Sequence, residues 1–574
     1  MGIDLKGNPF FLDENSIQWV NETLDSMTED DKLRHLFCLV LYDDSEEYCN
    51  YLAKEIRPGG FMNRIMSAEQ CINAVNRMQS LSKIPMLVAA NLESGGNGII
   101  KEGTNVGCEM QIAATDDTLF AERLGTVCGR EGSAVGANWS FAPIIDIDYN
   151  WRNPVTNLRT FGSDPERVKN MGVAYVKALQ SEGVAAAIKH FPGDGCDERD
   201  QHVSVSVNSL SCEEWDSTYG KAYSACIEAG AKTVMVGHIM QPAYTRHFSP
   251  ETRDEDMLPA SMSKELVSGL LRQKLGFNGL VITDSTAMAG LATCIPRKVL
   301  VPLTIAAGCD MFLFTKNLEE DIEFMKQGYA DGVFGAERLN EAVTRILALK
   351  ASLGLHKNAV IPTLEAAKQK IALPEYREWA KECAQKAITL VKEEKGVFPI
   401  TPERFKRILF CPLDVSNNTA PENTSLGRFK KALENEGFEV TVFEPQQVNE
   451  GAQASVSEMT EKYDLIIYTA VIYGSYQPVL RLHWSSPQGA NIPTLCHTIP
   501  TVFISLQNPY HLVDVPHVRT YINCYSNTMF TINALVDKLM GRDRFLGTSP
   551  VDAFCGKWDA RVSFGGECEG LRNK

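Results

Sequence analysis

The sequence has no long apolar run, no CxxC cysteine pair and no low-complexity tract. No stretch approaches the roughly 20 consecutive apolar residues that a membrane-spanning helix needs. The amino terminus, MGIDLKGNPFFLDENSIQW, does not show a basic segment followed by an apolar one, which is the pattern of a secretory signal. The 16 cysteines are scattered along the chain, as is typical of reduced thiols. We therefore expect a cytoplasmic protein without a membrane segment, a metal site or another cofactor.

Positive charge is scarce as well. The chain has 56 Lys and Arg residues against 72 Asp and Glu residues, which gives a formal net charge of −16 and a sequence pI near 5.3. Such a balance argues against binding to nucleic acid or to an anionic membrane surface, since both attract basic proteins. A small neutral ligand remains compatible with it. The 574 residues exceed the roughly 250–300 that one core supports, so two or three domains are expected.

Short apolar runs alternate with helical patterns over the first 355 or so residues. Continuous apolar runs are typical of strands that are covered on both faces. Helices are predicted between them, for instance over 165–183 and 264–276. Repetition of strand and helix in this way predicts parallel βαβ units. The predicted strands are 85–90, 139–146, 184–190, 232–238, 279–284 and 309–314.

Polar or ionisable side chains stand at or just after the end of nearly every run. They include Asn91, Asp146, His190, His238 and Asp284. In a (β/α)8 barrel the carboxyl ends of the strands converge on the face that carries out chemistry. The pattern therefore predicts one shared rim. The alternative is that these residues are merely the starts of unrelated loops.

The predicted fold is α/β, with an amino-terminal (β/α)8 TIM-like barrel followed by a carboxy-terminal α/β open-sheet (sandwich) domain. A helix predicted over 336–356 closes the first region, so the barrel domain is placed at 1–356 and a linker at 357–375. The second domain is placed at 376–574, where further buried strands are predicted in ITLVKE, RILFCP, EVTVFE, DLIIYTAV, TVFISL and TYINCY.

The segment KHFPGDGCDERDQH, from Lys189 to His202, carries the densest set of reactive side chains. Asp200 and His202 are two residues apart and would point the same way in an extended segment. The carboxylate could then accept the imidazole N–H, fix its tautomer and raise its pKa, which suits a proton shuttle. The alternative is an ordinary charged surface loop.

Asp284 ends the apolar run GLVITD. A partly desolvated carboxylate at a strand end is suited to attack on an anomeric carbon and to formation of a covalent glycosyl-enzyme. The alternative is an N-cap for the following helix, which is a common position for Asp.

The chain resembles glycoside hydrolase family 3, in particular its β-N-acetylglucosaminidase branch. The resemblance covers most of residues 20–400 and continues more weakly beyond them. It is specific because the matching motifs occur in the family's order. They are MTEDDKLRHLF (27–37), NLESGG (91–96), FAPIIDI (141–147), RTFGSDP (159–165), KHFPGDGCDERDQH (189–202), GLVITD (279–284) and AAGCDMFL (306–313).

The resemblance implies a retaining exo-β-glycosidase that releases a terminal β-linked sugar, with N-acetylglucosamine as the expected sugar. Asp284 would be the nucleophile. His202, oriented by Asp200, would protonate the leaving oxygen and later activate water, replacing the second carboxylate of the usual scheme.

The resemblance also implies a substrate-binding set at the −1 subsite. Lys189, His190 and Arg159 would hold sugar hydroxyls there. Asn91 stands where the family usually has an Asp that binds such hydroxyls. For Arg159 the alternative is a structural ion pair, and for His190 it is a hydrogen-bonded core histidine.

Three departures from the family pattern bear on the identity of the sugar. Asn91 cannot make the charge-assisted bond that an Asp would. The turn after Gly96 lacks the usual basic residue, and Lys101 is the nearest candidate. Asp194 replaces a histidine. We expect all three to lie near the sugar subsite, so that the identity of the −1 sugar stays open.

Other functions stay open at this point. A β-glucosidase or β-xylosidase of the same family would need a carboxylate acid from elsewhere. A phosphorylase would use phosphate in place of water. A metal-dependent hydrolase could draw on His190, Asp194, Asp200, His202 and His238. A sugar-binding protein without catalysis is the remaining alternative. The expected partner is a small carbohydrate, and the oligomeric state and the role of the second domain are left open.

Overall fold

The structure is a computed structural model that describes residues 2–357, 361–415, 418–443, 454–472, 481–484 and 492–562. It divides into two compact units. The first comprises Met1–Glu109 and Thr118–Arg377, and the second comprises Met110–Asp117 and Glu378–Lys574. The linker that the sequence predicts at 357–375 stays a prediction. No helix in the described part is both long and apolar enough to cross a bilayer.

The first unit is built on an eight-stranded parallel sheet. With the strands numbered β1 to β8 in chain order, from Phe37–Leu41 to Phe312–Leu313, their spatial order is β8-β1-β2-β3-β4-β5-β6-β7. A parallel bridge between Ile282 and Met311 links β7 to the residue before β8, so the sheet is nearly closed into the predicted barrel. The strands are β1 Phe37–Leu41, β2 Gly60–Asn63, β3 Leu87–Ala90, β4 Trp139–Ser140, β5 Ala185–Phe191, β6 Thr233–Val236, β7 Leu280–Thr283 and β8 Phe312–Leu313.

Burial explains why the sequences of these strands are continuous apolar runs. All residues of β3, β5, β6 and β7 are buried, as expected for strands that are covered on both faces. A separate pair of short parallel strands, Ser206–Val207 and Ile239–Met240, joins the loop after β5 to the segment after β6.

Helices up to residue 387 alternate with the strands along the chain, and residues 110–117 and 378–387 among them belong to the second unit. The starts of these helices follow capping chemistry. Thr28 and Ser67 form capping boxes with Asp31 and Gln70. Asp164 caps the helix that begins with Pro165. The helices are α1 Glu14–Ser26, α2 Glu29–His35, α3 Glu46–Asn50, α4 Ala68–Leu81, α5 Glu109–Ala114, α6 Thr118–Ala134, α7 Pro165–Ser181, α8 Cys212–Trp215, α9 Lys221–Glu228, α10 Pro242–Phe248, α11 Ala289–Ala292, α12 Arg297–Ala307, α13 Leu318–Ala330, α14 Ala336–Ser352, α15 Leu364–Lys368 and α16 Pro374–Ala387.

Several predicted bounds differ from the observed ones. The run 139–146 forms a strand only over β4, and the rest of it is irregular backbone. The helix predicted over 264–276 is a π-helical segment, Glu265–Lys274. Two strands, β1 and β2, have no counterpart among the predicted ones. Strand ends are set by pairing with neighbouring strands, which the apolar pattern does not report.

The second unit contains a six-stranded sheet with the order β9-β14-β13-β12-β10-β11. Only β9 runs antiparallel, at an edge, and the others are parallel. This is an open doubly wound sheet, as predicted. The strands are β9 Thr389–Lys392, β10 Arg407–Leu413, β11 Glu439–Val442, β12 Leu465–Ala470, β13 Thr501–Ser505 and β14 Thr520–Asn523, and the helices are α17 Ser425–Asn435, α18 Val456–Lys462 and α19 Met529–Leu539.

Two hydrophobic clusters cover the two faces of this second sheet. Alternation along β12 places Ile467 in one cluster and Tyr468 in the other. The same alternation separates Ile504 from Phe503 along β13. The sheet is therefore buried on both sides, which accounts for its apolar strand sequences.

Candidate active site

Reactive side chains gather where the barrel strands end. Lys189 and His190 lie near the carboxyl end of β5, and Asp284 follows β7 directly. Because parallel strands in a barrel end on one face, these positions share the rim that the sequence predicts. The rim residues are Asn91 and Glu93 after β3, Asp146 beyond β4, Lys189 and His190 in β5, His238 after β6 and Asp284 after β7.

Asp284 is a buried carboxylate with one oxygen held by the backbone. Its Oδ1 accepts the N–H of Ser285 at 2.6 Å. No donor among the described residues reaches its Oδ2, which lies 3.8 Å from His190 Nε2. Burial opposes ionisation, but the imidazoles of His190, His238 and His202 hold the pKa of Asp284 below its usual value. The group is thus an anion with an uncommitted oxygen.

His190 is fixed by a buried carboxylate from the segment beyond the neighbouring strand β4. Asp146 Oδ2 lies 2.7 Å from His190 Nδ1, and Asp146 Oδ1 accepts the backbone N–H of His190 at 3.0 Å. A carboxylate can only accept, so Nδ1 carries the proton and Nε2 faces Asp284. His190 is therefore oriented toward the candidate nucleophile, and it is also buried and hydrogen-bonded, as the alternative of a core histidine describes.

Asp200 and His202 form a direct pair, but the local geometry differs from the prediction. The segment is a turn, not an extended strand: Asp200 Oδ1 accepts both the backbone N–H of His202 at 2.8 Å and its ring Nδ1–H at 2.6 Å. Burial opposes ionisation of Asp200, yet these bonds hold its pKa below the usual value. With Nδ1 so held, the nitrogen of His202 that can exchange a proton with a ligand is Nε2.

Glu93 joins two of the predicted sugar-binding residues. Arg159 donates to it through Nε at 3.0 Å and Nη2 at 2.8 Å, and Lys189 Nζ donates at 2.7 Å. Burial opposes ionisation, but the two cations hold the pKa of Glu93 well below its usual value. The ion pair considered as an alternative for Arg159 is thus present. Asn91, two residues earlier, is exposed at the rim.

Asp194 lies next to Asp146, since its backbone N–H donates to Asp146 Oδ1 at 2.8 Å. It is buried, and its carboxylate is occupied by donors from within the same region: Asn153, Gln201 and the Gly195 N–H. Burial and the neighbouring Asp146 carboxylate raise its pKa to about 7. That Asp194 lies near the sugar subsite stays a prediction; its carboxylate oxygens are taken up by these protein donors.

The five residues of the metal alternative do not form a ligand set. His190 pairs with Asp146, and His202 pairs with Asp200. His238 binds Ser261 Oγ and the Ser285 carbonyl, both at 2.9 Å. Among residues that the structure describes, no group of three His, Cys, Asp or Glu side chains has the arrangement of a metal site.

Sequence reasoning missed the partners of the catalytic candidates. Asp146 was predicted only as a rim residue, and Glu93 and Gln201 were only letters of the quoted motifs. Their position at strand ends or inside the KHFPGDGCDERDQH segment was the available signal. Nothing in the sequence indicated which polar residue each would contact.

The arrangement combines an uncommitted carboxylate, an imidazole paired to a second carboxylate, and two cations beside the rim. The profile of the "Glycosyl hydrolase family 3 N terminal domain" matches residues 45–349 of the chain. The chain belongs to glycoside hydrolase family 3. Its enzyme class, glycoside hydrolase, and its two-unit α/β architecture are those predicted from the sequence.

Relatives match this family 3 enzyme over part or nearly all of its length. A β-N-acetylglucosaminidase/β-glucosidase from Cellulomonas fimi is 50% identical over 564 residues, which is 98% of this chain and 100% of the relative. A β-hexosaminidase A from Pseudoalteromonas piscicida is 28% identical over 59% of this chain and 60% of its own. The solved structure of the β-glucoside phosphorylase BglX has 44% identity and a TM-score of 0.91, covering 97% of this chain and 99% of that one.

Proposed function

We propose that this family 3 enzyme cleaves a terminal β-linked sugar by double displacement on Asp284, with His202 and Asp200 as its acid/base pair. In the first step an Asp284 oxygen attacks the anomeric carbon, the glycosidic bond breaks, and His202 Nε2 gives its proton to the leaving oxygen. In the second step water attacks the same carbon, gives a proton to His202, and releases Asp284. Asp200 stays ionised and stabilises the imidazolium.

The observation that carries this proposal is the presence of two groups, an anionic Asp284 and an imidazole paired to a carboxylate. Asp284 is held anionic by surrounding imidazoles, and its Oδ2 receives no hydrogen bond from the described residues. The Asp200 carboxylate accepts the Nδ1–H of His202 at 2.6 Å, so Nε2 is the ring nitrogen that can give a proton to a leaving group. A nucleophile and an acid are thus present together, as a retaining reaction requires.

For the sugar we propose N-acetylglucosamine, bound through Asn91, Arg159, Lys189 and His190. Glu93 accepts hydrogen bonds from the Arg159 Nε–H and the Lys189 ammonium, so one carboxylate at the rim fixes both cations. The Cellulomonas fimi relative is named for both N-acetylglucosaminide and glucoside cleavage, which supports this sugar and makes glucose the competing one.

Variants of the proposed nucleophile and acid test the mechanism. Asp284→Ala should lose nearly all turnover of nitrophenyl N-acetylglucosaminide. His202→Ala should lose on the order of 10²–10⁴-fold in kcat/KM on a natural disaccharide, since general acid catalysis contributes that much. It should lose little on a dinitrophenyl glycoside, whose leaving group needs no proton. Wild-type cleavage of the disaccharide by His202→Ala would disprove the acid assignment.

Phosphorolysis is a second candidate, and one observation favours it. The acid/base group is an imidazole and not a carboxylate, so an incoming phosphate meets no added negative charge from that group. The related BglX is a β-glucoside phosphorylase. Phosphate already carries an anionic oxygen and needs no base to attack the glycosyl-enzyme.

Analysis of the products decides whether water or phosphate attacks the glycosyl-enzyme. Turnover in phosphate buffer should be compared with turnover in a phosphate-free buffer at equal ionic strength. A sugar 1-phosphate product and a kcat that rises with phosphate would establish a phosphorylase. Free sugar at an unchanged rate in both buffers would establish a hydrolase.

A cytoplasmic location and a carbohydrate as the only ligand class complete the proposal. Buried cysteines such as Cys226 and Cys309 are thiols, and burial raises the pKa of each to about 12. Such thiols suit a reducing compartment. The net charge of −16 disfavours nucleic acid and anionic membranes as partners. Measurement of the enzyme in separated cell fractions would test the location.

A further inference from the structure

The loop between β5 and the short strand Ser206–Val207 carries Asp200 and His202, and two buried side chains tie it to the barrel. Asp194 is 1% exposed and Gln201 is 0% exposed. Neither is used in the chemistry described above. Their contacts account for how a loop keeps an acid/base group at a fixed place.

Asp194 connects the start, the middle and the end of this loop. Its Oδ1 accepts hydrogen bonds from the Gly195 N–H at 2.7 Å, Asn153 Nδ2 at 2.8 Å and Ser206 Oγ at 3.3 Å. Its Oδ2 accepts from Gln201 Nε2 at 3.1 Å. Every partner is a donor, so the site requires a group that can only accept.

Gln201 stands between Asp200 and His202 in sequence, and both ends of its amide are engaged. Its Nε2 donates to Asp194 Oδ2, and its Oε1 accepts the backbone N–H of His238 at 2.9 Å. His238 follows β6, so the amide joins the loop to a barrel strand. The backbone beside the acid/base pair cannot shift without breaking one of these bonds.

The segment after the nucleophile strand supports the same stretch from the other side. The Ala289 N–H donates to the His202 carbonyl at 3.0 Å. A Cβ added at Gly290 would overlap the Gln201 carbonyl oxygen, so the two backbones are in direct contact. The loop that carries His202 is therefore held against the loop that follows Asp284.

We propose that Asp194 and Gln201 are a positioning pair that sets the place of His202 relative to Asp284. They act through the loop backbone and through their mutual hydrogen bond, and they do not touch the sugar. The proposal rests on the proposed role of His202 as the acid. A displacement of about 1 Å in a catalytic group can cost on the order of 10²-fold in rate, which sets the expected effect.

Exchanging the acid at position 194 and the amide at position 201, which conserves the total charge, tests the pair. Asp194→Asn must turn an amide NH2 toward one of its donors, and Gln201→Glu sets two carboxylates against each other. Each single variant should lose on the order of 10²-fold in kcat/KM on a disaccharide and stay within about twofold of wild type on a dinitrophenyl glycoside.

In the double variant, the new amide at position 194 can donate to the new carboxylate at position 201, which also accepts the His238 N–H. The double variant should recover at least about tenfold, as coupled neighbours do.

The controls separate positioning from loss of fold. Glu198→Gln makes the same acid-to-amide change in the same loop at an exposed side chain and should behave as wild type. If Asp194→Asn does not fold, Gln201→Met in the same assay replaces it. Equal losses on both substrates, or a double variant no better than the singles, would overturn the proposal. If His202→Ala itself showed no dependence on the leaving group, the proposed function would fail instead.

Discussion

His238 illustrates how hydrogen bonds fix the state of a single buried ring beside Asp284. Its Nε2 lies 2.9 Å from the Ser285 carbonyl, which can only accept, so Nε2 carries the proton. Its Nδ1, 2.9 Å from Ser261 Oγ, then accepts from that hydroxyl. Burial lowers the pKa of His238. Two hydrogen bonds thus hold the ring against the residue after the nucleophile.

Glu93 decides the position of two cations at once, so its removal should affect binding of the sugar. In Glu93→Gln, the carboxylate that receives Arg159 and Lys189 becomes an amide, and the two cations face each other without a counter-charge. A charge-assisted hydrogen bond is worth about 1.5–3 kcal/mol, so we expect KM to rise at least about tenfold. Steady-state kinetics on the nitrophenyl N-acetylglucosaminide measure this.

The exposed Glu122 offers a matched control for that substitution. Glu122→Gln should leave KM at the wild-type value. A Glu93→Gln enzyme with unchanged KM and only a lower melting temperature would mean that Glu93 serves the fold alone.

At the level of the element, the ends of the barrel strands matter more than their lengths. β4 has only two residues in strand conformation, yet the segment after it delivers Asp146 to the rim. β7 has four residues and delivers Asp284 directly. Parallel strands in a barrel share one orientation, so even a short strand brings its following side chain to the same face.

The contact between α11 and the loop that carries Asp200 and His202 leads to a prediction for Gly290. The methyl group in Gly290→Ala would overlap the Gln201 carbonyl oxygen, and only backbone movement can relieve that overlap. The loop should then shift, and kcat/KM on a disaccharide should fall on the order of 10²-fold. Activity on a dinitrophenyl glycoside should change far less, since that leaving group needs no acid.

Gly335→Ala provides the comparison, because a Cβ at Gly335 meets nothing within 4 Å. It should have wild-type kinetics. Wild-type activity of Gly290→Ala on both substrates would show that the close contact of the two backbones has no part in placing His202.

At the scale of the whole molecule, a buried basic pair limits stability. Lys350 Nζ in α14 lies 2.6 Å from His35 Nε2, and both residues are buried. Burial lowers the pKa of both groups well below their usual values. Since a folded chain with a neutral Lys350 binds fewer protons than the unfolded chain, wild-type stability should rise with pH up to the unfolded pKa of lysine.

Lys350→Met should remove this dependence. Relative to the variant, the wild type should gain up to about 1.4 kcal/mol for each pH unit between about pH 7 and pH 9, the value for one proton. Scanning calorimetry of both proteins over this range measures the difference in melting temperature. The exposed Lys368, changed to Met, should give a curve parallel to the wild type. If the plot of melting temperature against pH for Lys350→Met also ran parallel to that of the wild type, Lys350 would be charged in the folded protein.

The sequence alone determined the class of fold and the elements that carry the chemistry. Buried parallel strands need apolar side chains along their whole length, and this local requirement made most of the barrel strands visible. The position of Asp284 at a strand end followed from the same pattern, whereas Asp200 and His202 were found from their spacing in the KHFPGDGCDERDQH segment. The open sheet of the second unit was visible for the same reason.

Only the tertiary structure decided which residues meet. Glu93 reaches Lys189 across 96 residues of sequence, and Asp146 reaches His190 across 44. The burial of Asp194 and the inclusion of Met110–Asp117 in the second unit were equally invisible. Such contacts depend on the order of strands in the sheet and on how each loop folds back. Apolar periodicity reports which face of an element is buried, but it does not report the neighbour that buries it.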